Sequence, residues 1–301
     1  MEILKSLLIS EVFFPLRADE GAQLDAIARV LDSGFYGRVE VGALASSENR
    51  RRLRALVESH GAKLTLWTIP TMTAEGLSLS TPDAALRAHT VARLRTLVDE
   101  AAECGAELIG IPSGADVGPA LREDAKRYLC DSLAALQAQM AGYPDAALLI
   151  EPLDREVHKR QLIGPMEEAV ALTQAVRAAG VPLYICWDSA HEALGGADLL
   201  RSFALAAPYM AQFHLCNAVL DPASPLYGDY HLPVGAAPGF ESAGYLTLQK
   251  AAELLRAARE HGGSSGRQLS VTVEIRTPED GDGFATEAVV RDFLQAAFAR
   301  A

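Results

Sequence analysis

Two spacings of apolar residues alternate along the chain. Short segments rich in Val, Ile, Leu and aromatic residues are typical of buried strands, and longer segments with apolar residues three and four positions apart are typical of amphipathic helices. Leu24, Ile27 and Leu31 show the helical spacing in the first long segment. Strands are predicted over residues 4–10, 38–44, 63–69, 107–111, 147–153, 183–188, 210–215 and 269–276, and helices over residues 19–31, 48–60, 82–104, 120–140, 165–179, 197–206, 242–261 and from 286 onward.

This alternation predicts the fold. Each of the eight strands is followed by a helix, the unit repeats every roughly 30 to 40 residues, and no change of composition divides the chain. The pattern favours an α/β fold with a single (β/α)8 TIM barrel over residues 1–301. The alternative is an open doubly wound sheet, but the G-x-G-x-x-G turn that often follows the first strand of such a sheet is missing.

The segment LYICWDSAH, residues 183–191, ends a strand with two side chains that can bind metal. Asp188 shares a strand face with Cys186, and Trp187 points to the other face, so Asp188 is expected to point into the barrel. His191 follows three positions later. The alternative is structural: Asp188 caps the next helix and His191 is an ordinary first-turn residue.

Four consecutive strands end in a polar side chain that can bind metal. In a TIM barrel the active site lies where the strands end, so these side chains should meet over the barrel mouth. Three carboxylates and one neutral imidazole form a hard donor set, which suits Mn²⁺, Mg²⁺ or Co²⁺ better than a structural zinc. We expect Mn²⁺, with Mg²⁺, Co²⁺ or Zn²⁺ as alternatives, and a solvated rim without metal is the other interpretation. The predicted ligands are Glu151, Asp188, His214 and Glu274.

The segments LLIEPLDRE, ICWDSAH, FHLCN and VTVEIR carry a resemblance to a known family. Over essentially its whole length the chain resembles the xylose isomerase-like superfamily of barrels. This sugar phosphate isomerase/epimerase group includes ketose 3-epimerases, hydroxypyruvate and inosose isomerases, and some dehydratases. The resemblance implies that Glu151, Asp188, His214 and Glu274 bind the metal, and that Glu151 and Glu274 act as base and acid. It also implies that His191 contacts the substrate oxygen near the metal, which makes it the third predicted catalytic residue.

A metal site of this kind has a definite chemistry. A divalent ion bound by a carbonyl and its neighbouring hydroxyl stabilises the enediolate formed when the C–H proton between them is removed. Two bases allow epimerisation, and one base that moves the proton between adjacent carbons gives aldose–ketose isomerisation. We therefore expect a metal-dependent isomerase or epimerase of a sugar, keto-sugar or related polyol carbonyl compound, within carbohydrate metabolism. A lyase or dehydratase of a keto-sugar, cyclitol or glycoside is the alternative, and a non-catalytic sugar-binding barrel is a third.

Two positions depart from the pattern of the family's sugar 3-epimerases. Those enzymes carry an arginine a few residues after the histidine of strand seven, where this chain reads His214-Leu-Cys-Asn-Ala-Val-Leu. They also carry a second glutamate six positions after the ligand of strand five, where this chain has Val157 beside Glu156. These departures put the epimerisation of free ketohexoses in doubt.

Other side chains near the strand ends are expected to bind the substrate together with His191. The loop GDYHLPVGAAPG contributes Asp229 and His231, in a D-x-H pattern followed by P-x-G that resembles a site loop of related barrels. Arg155 follows strand five. Arg276 shares a strand face with the last ligand, so its guanidinium should lean towards the mouth. For both arginines an ordinary rim salt bridge is the alternative.

Composition limits the partners of the protein. Lys+Arg of 27 against Asp+Glu of 39 gives a net charge of -12, which disfavours binding to a phosphate backbone, so no nucleic-acid partner is expected. The apolar N-terminal segment is too short for a membrane span and lacks a cleavage site. The four cysteines show no C-x-x-C spacing. We expect a cytoplasmic homo-oligomer with reduced thiols, no membrane association and a small-molecule carbohydrate substrate.

Overall fold

A computed structural model describes residues 2–234, 244–261 and 264–301. Its eight strands are parallel and pair in chain order, and the last strand pairs with the first, so that the sheet closes into a barrel. This closure confirms the predicted (β/α)8 TIM barrel and excludes the open sheet. The strands are β1 (Leu4–Leu8), β2 (Arg38–Gly42), β3 (Lys63–Trp67), β4 (Leu108–Ile111), β5 (Ala147–Ile150), β6 (Leu183–Asp188), β7 (Met210–Cys216) and β8 (Ser270–Glu274).

Each predicted helical segment contains a helix with shifted ends, and among the described residues three short α-helices lie outside the predicted segments. The helices are α1 (Ile9–Val12), α2 (Glu20–Asp32), α3 (Ser47–Ser59), α4 (Ile69–Ala74), α5 (Ala84–Cys104), α6 (Arg122–Ala134), α7 (Gln137–Ala141), α8 (Met166–Ala178), α9 (Ser189–Leu194), α10 (Leu199–Ala206), α11 (Leu248–His261) and α12 (Gly283–Arg300). The predictions that strands one and three continue to residues 10 and 69 are wrong, because α1 and α4 begin there. The single helix predicted over residues 120–140 is two helices, and residues 242 and 243 lie outside the described ranges. Within those ranges, no helix is long and apolar enough to cross a membrane.

The interior of the barrel has an apolar part and a polar part. The apolar part is a small cluster that includes Leu8, Trp67, Leu149 and Cys186. The buried polar residues around the other side of the interior are Ser6, Arg38, Glu40, Thr65, Gln212, Ser270 and Thr272. Such polar interiors differ from the layers of branched apolar residues that usually fill a TIM barrel. The polar part therefore has to form its own hydrogen bonds out of contact with water.

Strand β6 has the alternation that its sequence predicts. Cys186 belongs to the interior cluster, whereas Trp187 points outwards and packs edge-on against Phe203, with ring centroids 5.1 Å apart. Asp188 therefore points to the interior at the last position of the strand. It pairs in register with His214 of β7, so the closed barrel brings the two predicted ligands to the same end.

Candidate active site

The four predicted metal ligands meet at the C-terminal ends of the strands. Glu151 directly follows β5, Asp188 and Glu274 end β6 and β8, and His214 lies near the end of β7. One ligand atom from each lies within 4.8 Å of all the others. His214 Nδ1 is 3.1 Å from Glu274 Oε2 and 3.4 Å from Glu151 Oε1. The structure therefore gathers three carboxylates and one imidazole around one point, as a divalent ion requires.

Asp188 caps the helix that follows it and also has one carboxylate oxygen left for a metal ion. Its Oδ1 accepts hydrogen bonds from the backbone N–H groups of Ala190, at 2.7 Å, and His191, at 3.0 Å, and so caps α9. Its Oδ2 is buried and has no hydrogen-bond partner. Burial raises the pKa of Asp188, as do the nearby charges of Glu151 and Glu274, against the opposing effect of His191. A buried carboxylate oxygen without a partner is costly, and a cation would satisfy it, so the residues present fit a metal ion.

Cys186 lies at the same site and is a possible competitor as a ligand. Its sulfur is close to the ligand atoms of Glu151 and His214. Burial raises the pKa of the Cys186 thiol, and only the thiolate is a good ligand. The carboxylates and the imidazole therefore define a hard site rather than a thiolate site.

His191 lies in the first turn of α9 and contacts the site from one side. Its Nδ1 is 3.2 Å from Asp154 Oδ2, and its Nε2 is 3.7 Å from Asp229 Oδ2. Burial would lower its pKa, but Asp188 and Asp154 together raise it to about 9. The neighbouring carboxylates therefore favour the protonated form of His191, in which a ring N–H can donate a hydrogen bond to an oxygen.

His231 contacts three carboxylates at the site. Its Nδ1 lies 2.9 Å from Glu11 Oε2, and its Nε2 lies 3.2 Å from Glu274 Oε1 and 3.3 Å from Asp229 Oδ2. Burial would lower its pKa, but these three carboxylates raise it well above the usual value. The backbone of His231 has a φ of 53°, in the left-handed region that histidine adopts more readily than most residues. The surrounding carboxylates hold the imidazole in place.

A cavity of about 510 Å³ opens above the ligands, and Glu151, His191, His214, His231, Glu274 and Arg276 all line it. Arg276 donates to both oxygens of Glu11, at 2.5 and 3.0 Å. Trp67 forms a wall of the cavity, with its ring centroid 5.7 Å from that of His214. The volume is ample for a small sugar.

The structure places Arg155 outside this cavity. Its guanidinium donates to Glu168 and to the backbone carbonyl of Leu162, away from the ligands. Glu156, beside the position where related epimerases carry a glutamate, is exposed and pairs with Arg122. For Arg155, the alternative of a salt bridge agrees with the geometry better than the predicted contact with the substrate.

Three residues of the site are not among the predicted site residues. Lys159 reaches into the cavity and places Nζ 3.0 Å from Asp229 Oδ2. Burial would lower its pKa, but Asp229 raises it. Asp154 orients His191, and Glu11 orients both His231 and Arg276. All three lie beyond a strand end, and only that proximity could have suggested them.

Known proteins share the fold around this site. A family model described as xylose isomerase-like TIM barrel matches residues 27–288. A D-psicose 3-epimerase solved with D-fructose superposes with a TM-score of 0.70 at 16% identity, covering 97% of both chains. The 3-keto-D-glucoside 4-epimerase of E. coli gives 0.64 at 15% identity, covering 92% of this chain and 94% of that one. The IolI protein with a bound zinc atom gives 0.66 at 14% identity, covering 99% and 96%. No curated protein matches the sequence.

Proposed function

The chain belongs to the xylose isomerase-like TIM-barrel family, and on that premise we propose that it is a divalent-metal-dependent isomerase or epimerase of a sugar, keto-sugar or related polyol carbonyl compound. The observation that carries the proposal is the cluster of Glu151, Asp188, His214 and Glu274, with a buried oxygen of Asp188 left without a partner. Mn²⁺ is the expected ion for these donors, and Mg²⁺, Co²⁺ and Zn²⁺ are alternatives. Two of the similar structures are sugar epimerases.

The residues of the cluster and those around it have different roles in proton transfer. A divalent ion held there would act as a Lewis acid that makes the hydrogen next to a carbonyl more acidic. Glu151 and Glu274 reach the site from β5 and β8 and can remove and return that proton. His191 can donate a hydrogen bond to the substrate oxygen on which negative charge develops.

The outer part of the cavity is suited to a substrate with several hydroxyl groups. Asp229 and His231 offer an acceptor and a donor close to Glu274, and Lys159 and Arg276 offer further donors. Each of these side chains already has a partner of opposite charge. Paired groups of this kind favour neutral hydroxyl groups over an additional strong anion.

A lyase or dehydratase acting on a keto-sugar, cyclitol or glycoside is the second candidate. The observation that favours it is the position of His231 Nε2, 3.2 Å from Glu274 Oε1. Glu274, Asp229 and Glu11 raise the pKa of His231, which favours its protonated form. It can therefore protonate a hydroxyl group that leaves from the carbon next to the carbanion.

Incubation in deuterated buffer tests these proposals. The Mn²⁺-loaded protein is incubated with a panel of ketoses, keto-acids and inososes, beside Glu151→Gln and Glu274→Gln. Glu156→Gln is the matched control, because this glutamate is exposed outside the cavity. We expect deuterium to enter a carbon next to the carbonyl, at least about 100-fold more slowly in the two site variants.

The products distinguish the candidates. Exchange without loss of water identifies an isomerase or epimerase, and an enone absorbance identifies a lyase. If deuterium exchange is equally fast in the parent and both site variants, the roles assigned to Glu151 and Glu274 are wrong. Saturable binding of a sugar with neither exchange nor product supports the non-catalytic barrel instead.

A further inference from the structure

We propose that Glu40 is a positioning residue that keeps a proton on Nε2 of His214, so that Nδ1 is the nitrogen free to bind the metal ion. The inference rests on the metal site of the proposed function. Glu40 points into the barrel from β2, below the ligands, and is fully buried. Its Oε2 lies 3.1 Å from His214 Nε2. The opposite nitrogen, Nδ1, faces Glu274 and Glu151.

The polar part of the barrel interior stabilises the charge of Glu40. Its carboxylate accepts hydrogen bonds from Ser6 Oγ at 2.8 Å, from Trp67 Nε1 at 2.8 Å and from Thr272 Oγ1. Gln212 Nε2 donates to the same oxygen as His214, at 2.6 Å. A buried carboxylate with this many donors is held in one orientation, and its charge is compensated without water.

A chain of hydrogen bonds connects this carboxylate to Arg38, a buried cation in the next layer of the interior that pairs with Glu107. Arg38 Nη1 donates to Thr65 Oγ1 at 3.1 Å, and Thr65 Oγ1 donates to Gln212 Oε1 at 2.9 Å. The chain of hydrogen bonds therefore runs from Arg38 through Gln212 to Glu40 and ends at His214. It fixes which end of the Gln212 amide faces Glu40, because the carbonyl oxygen is already used by Thr65.

Gln212 is also the competing donor for His214. Its Nε2 lies 2.9 Å from His214 Nε2, so this ring nitrogen could instead accept a hydrogen bond from the amide. It cannot both accept from Gln212 and donate to Glu40. A hydrogen bond to a carboxylate is about twice as strong as one between neutral groups, and Gln212 already donates to Glu40. The proton is therefore expected on Nε2, where it points to Glu40.

The consequence for the metal site is electronic as well as geometric. A histidine that donates its second ring N–H to a carboxylate has a fixed tautomer and a fixed ring orientation, and its other nitrogen becomes a stronger ligand. Glu40 would therefore increase the metal affinity of a residue to which the ion is directly bound, without touching the ion or the substrate.

Nitrogen NMR on the parent protein tests the position of the proton without any mutation. The protein is labelled with ¹⁵N-histidine and loaded with Zn²⁺, which is diamagnetic. We expect His214 to show a metal-bound Nδ1 and a slowly exchanging proton on Nε2. A proton on Nδ1, or zinc bound to Nε2, would overturn the inference.

Variants then separate positioning from packing. Glu40→Gln keeps the shape and a carbonyl acceptor but removes the charge, and Ser6→Ala removes one donor from the same carboxylate without touching His214. We expect Glu40→Gln to raise the Kd for Zn²⁺ in calorimetric titration about 10-fold or more and to speed the exchange of the Nε2 proton. Ser6→Ala should change neither quantity. Equal Zn²⁺ affinity in the parent and Glu40→Gln would reduce Glu40 to a structural role.

These measurements use no substrate, so the inference about Glu40 can be contradicted independently of the proposed function. Parent protein that binds Zn²⁺ through Nδ1 but exchanges no deuterium with any compound would contradict the catalytic proposal and leave the role of Glu40 standing. Deuterium exchange by the parent, together with unchanged metal affinity in Glu40→Gln, would support the catalytic proposal and contradict the role of Glu40.

Discussion

Glu192 offers a prediction whose size can be worked from the structure. It lies on α9, one residue beyond His191, and is buried beside Ser202, whose hydroxyl donates to it. Ser202 Oγ in turn accepts from Trp187 Nε1 at 2.9 Å. Burial raises the pKa of Glu192 from 4.5 to about 7, and Ser202 and His191 oppose the rise only in part.

The sign and magnitude follow from proton linkage. The folded protein holds the Glu192 proton more tightly than the unfolded chain, so the contribution to stability is complete below about pH 4.5 and is lost as the pH rises towards 7. The difference between 4.5 and about 7 corresponds to about 3 kcal/mol. Glutamine at this position is neutral at every pH and keeps an acceptor for Ser202, so Glu192→Gln should avoid this loss.

Urea unfolding followed by circular dichroism at pH 5 and pH 8 measures the effect, with chelator present to keep the metal site constant. Between these pH values, the free energy of unfolding of the parent should fall by about 2 to 3 kcal/mol more than that of Glu192→Gln. Glu123→Gln is the control, because Glu123 is exposed on α6, and it should follow the parent. A difference between the parent and Glu192→Gln that is the same at both pH values would refute the reasoning.

Three further predictions concern the site. A Cβ at Gly110 would overlap the ring of Trp67, whereas a Cβ at Gly42 meets nothing within 4 Å. Gly110→Ala should therefore lower the free energy of unfolding in chemical denaturation by about 1 to 3 kcal/mol and lower activity. The control Gly42→Ala should do neither. His231→Asn keeps a residue that tolerates the left-handed backbone but loses the imidazole, so turnover should fall about 100-fold with little change in Tm, and unchanged kinetics would remove His231 from the site. With the metal present at about 100 times its Kd, a chelator should lower the free energy of unfolding of the parent by about 3 kcal/mol. It should lower that of Asp188→Asn much less, and equal losses would show that the metal binds elsewhere.

The sequence could predict the strands and the cluster of potential ligands because both follow from alternation along a strand. Asp188 shares the interior face of Cys186, and the closed barrel brings such faces together. The same alternation is misleading in β2. Its valines suggest an apolar interior face, but Val39 and Val41 pack outwards in the main core, and Arg38 and Glu40 point into the barrel. The pattern shows two faces of a strand, and only the closed sheet decides which one is inside.

Residues on loops and in short helices could not be predicted in this way. Lys159 and Asp154 lie in the connection after β5, where no periodicity indicates a direction for the side chain. Helix α4 has only 6 residues, too few to distinguish a helical pattern from the end of a strand. Arg155 lies nearer to the end of β5 than Lys159 does, yet its partner Glu168 on α8 holds it outside the cavity. Tertiary contacts decide each of these positions.

The central claim is that four residues at the strand ends hold one divalent ion. Calorimetric titration of Mn²⁺ into metal-free protein tests it most directly, with the parent beside Asp188→Asn, which keeps a side-chain oxygen to cap α9 but loses the charge. We predict one ion per chain in the parent and an affinity weakened by at least about 100-fold in the variant, because the charge removed belongs to a direct ligand. No binding by the parent, or equal binding by the variant, would contradict the account.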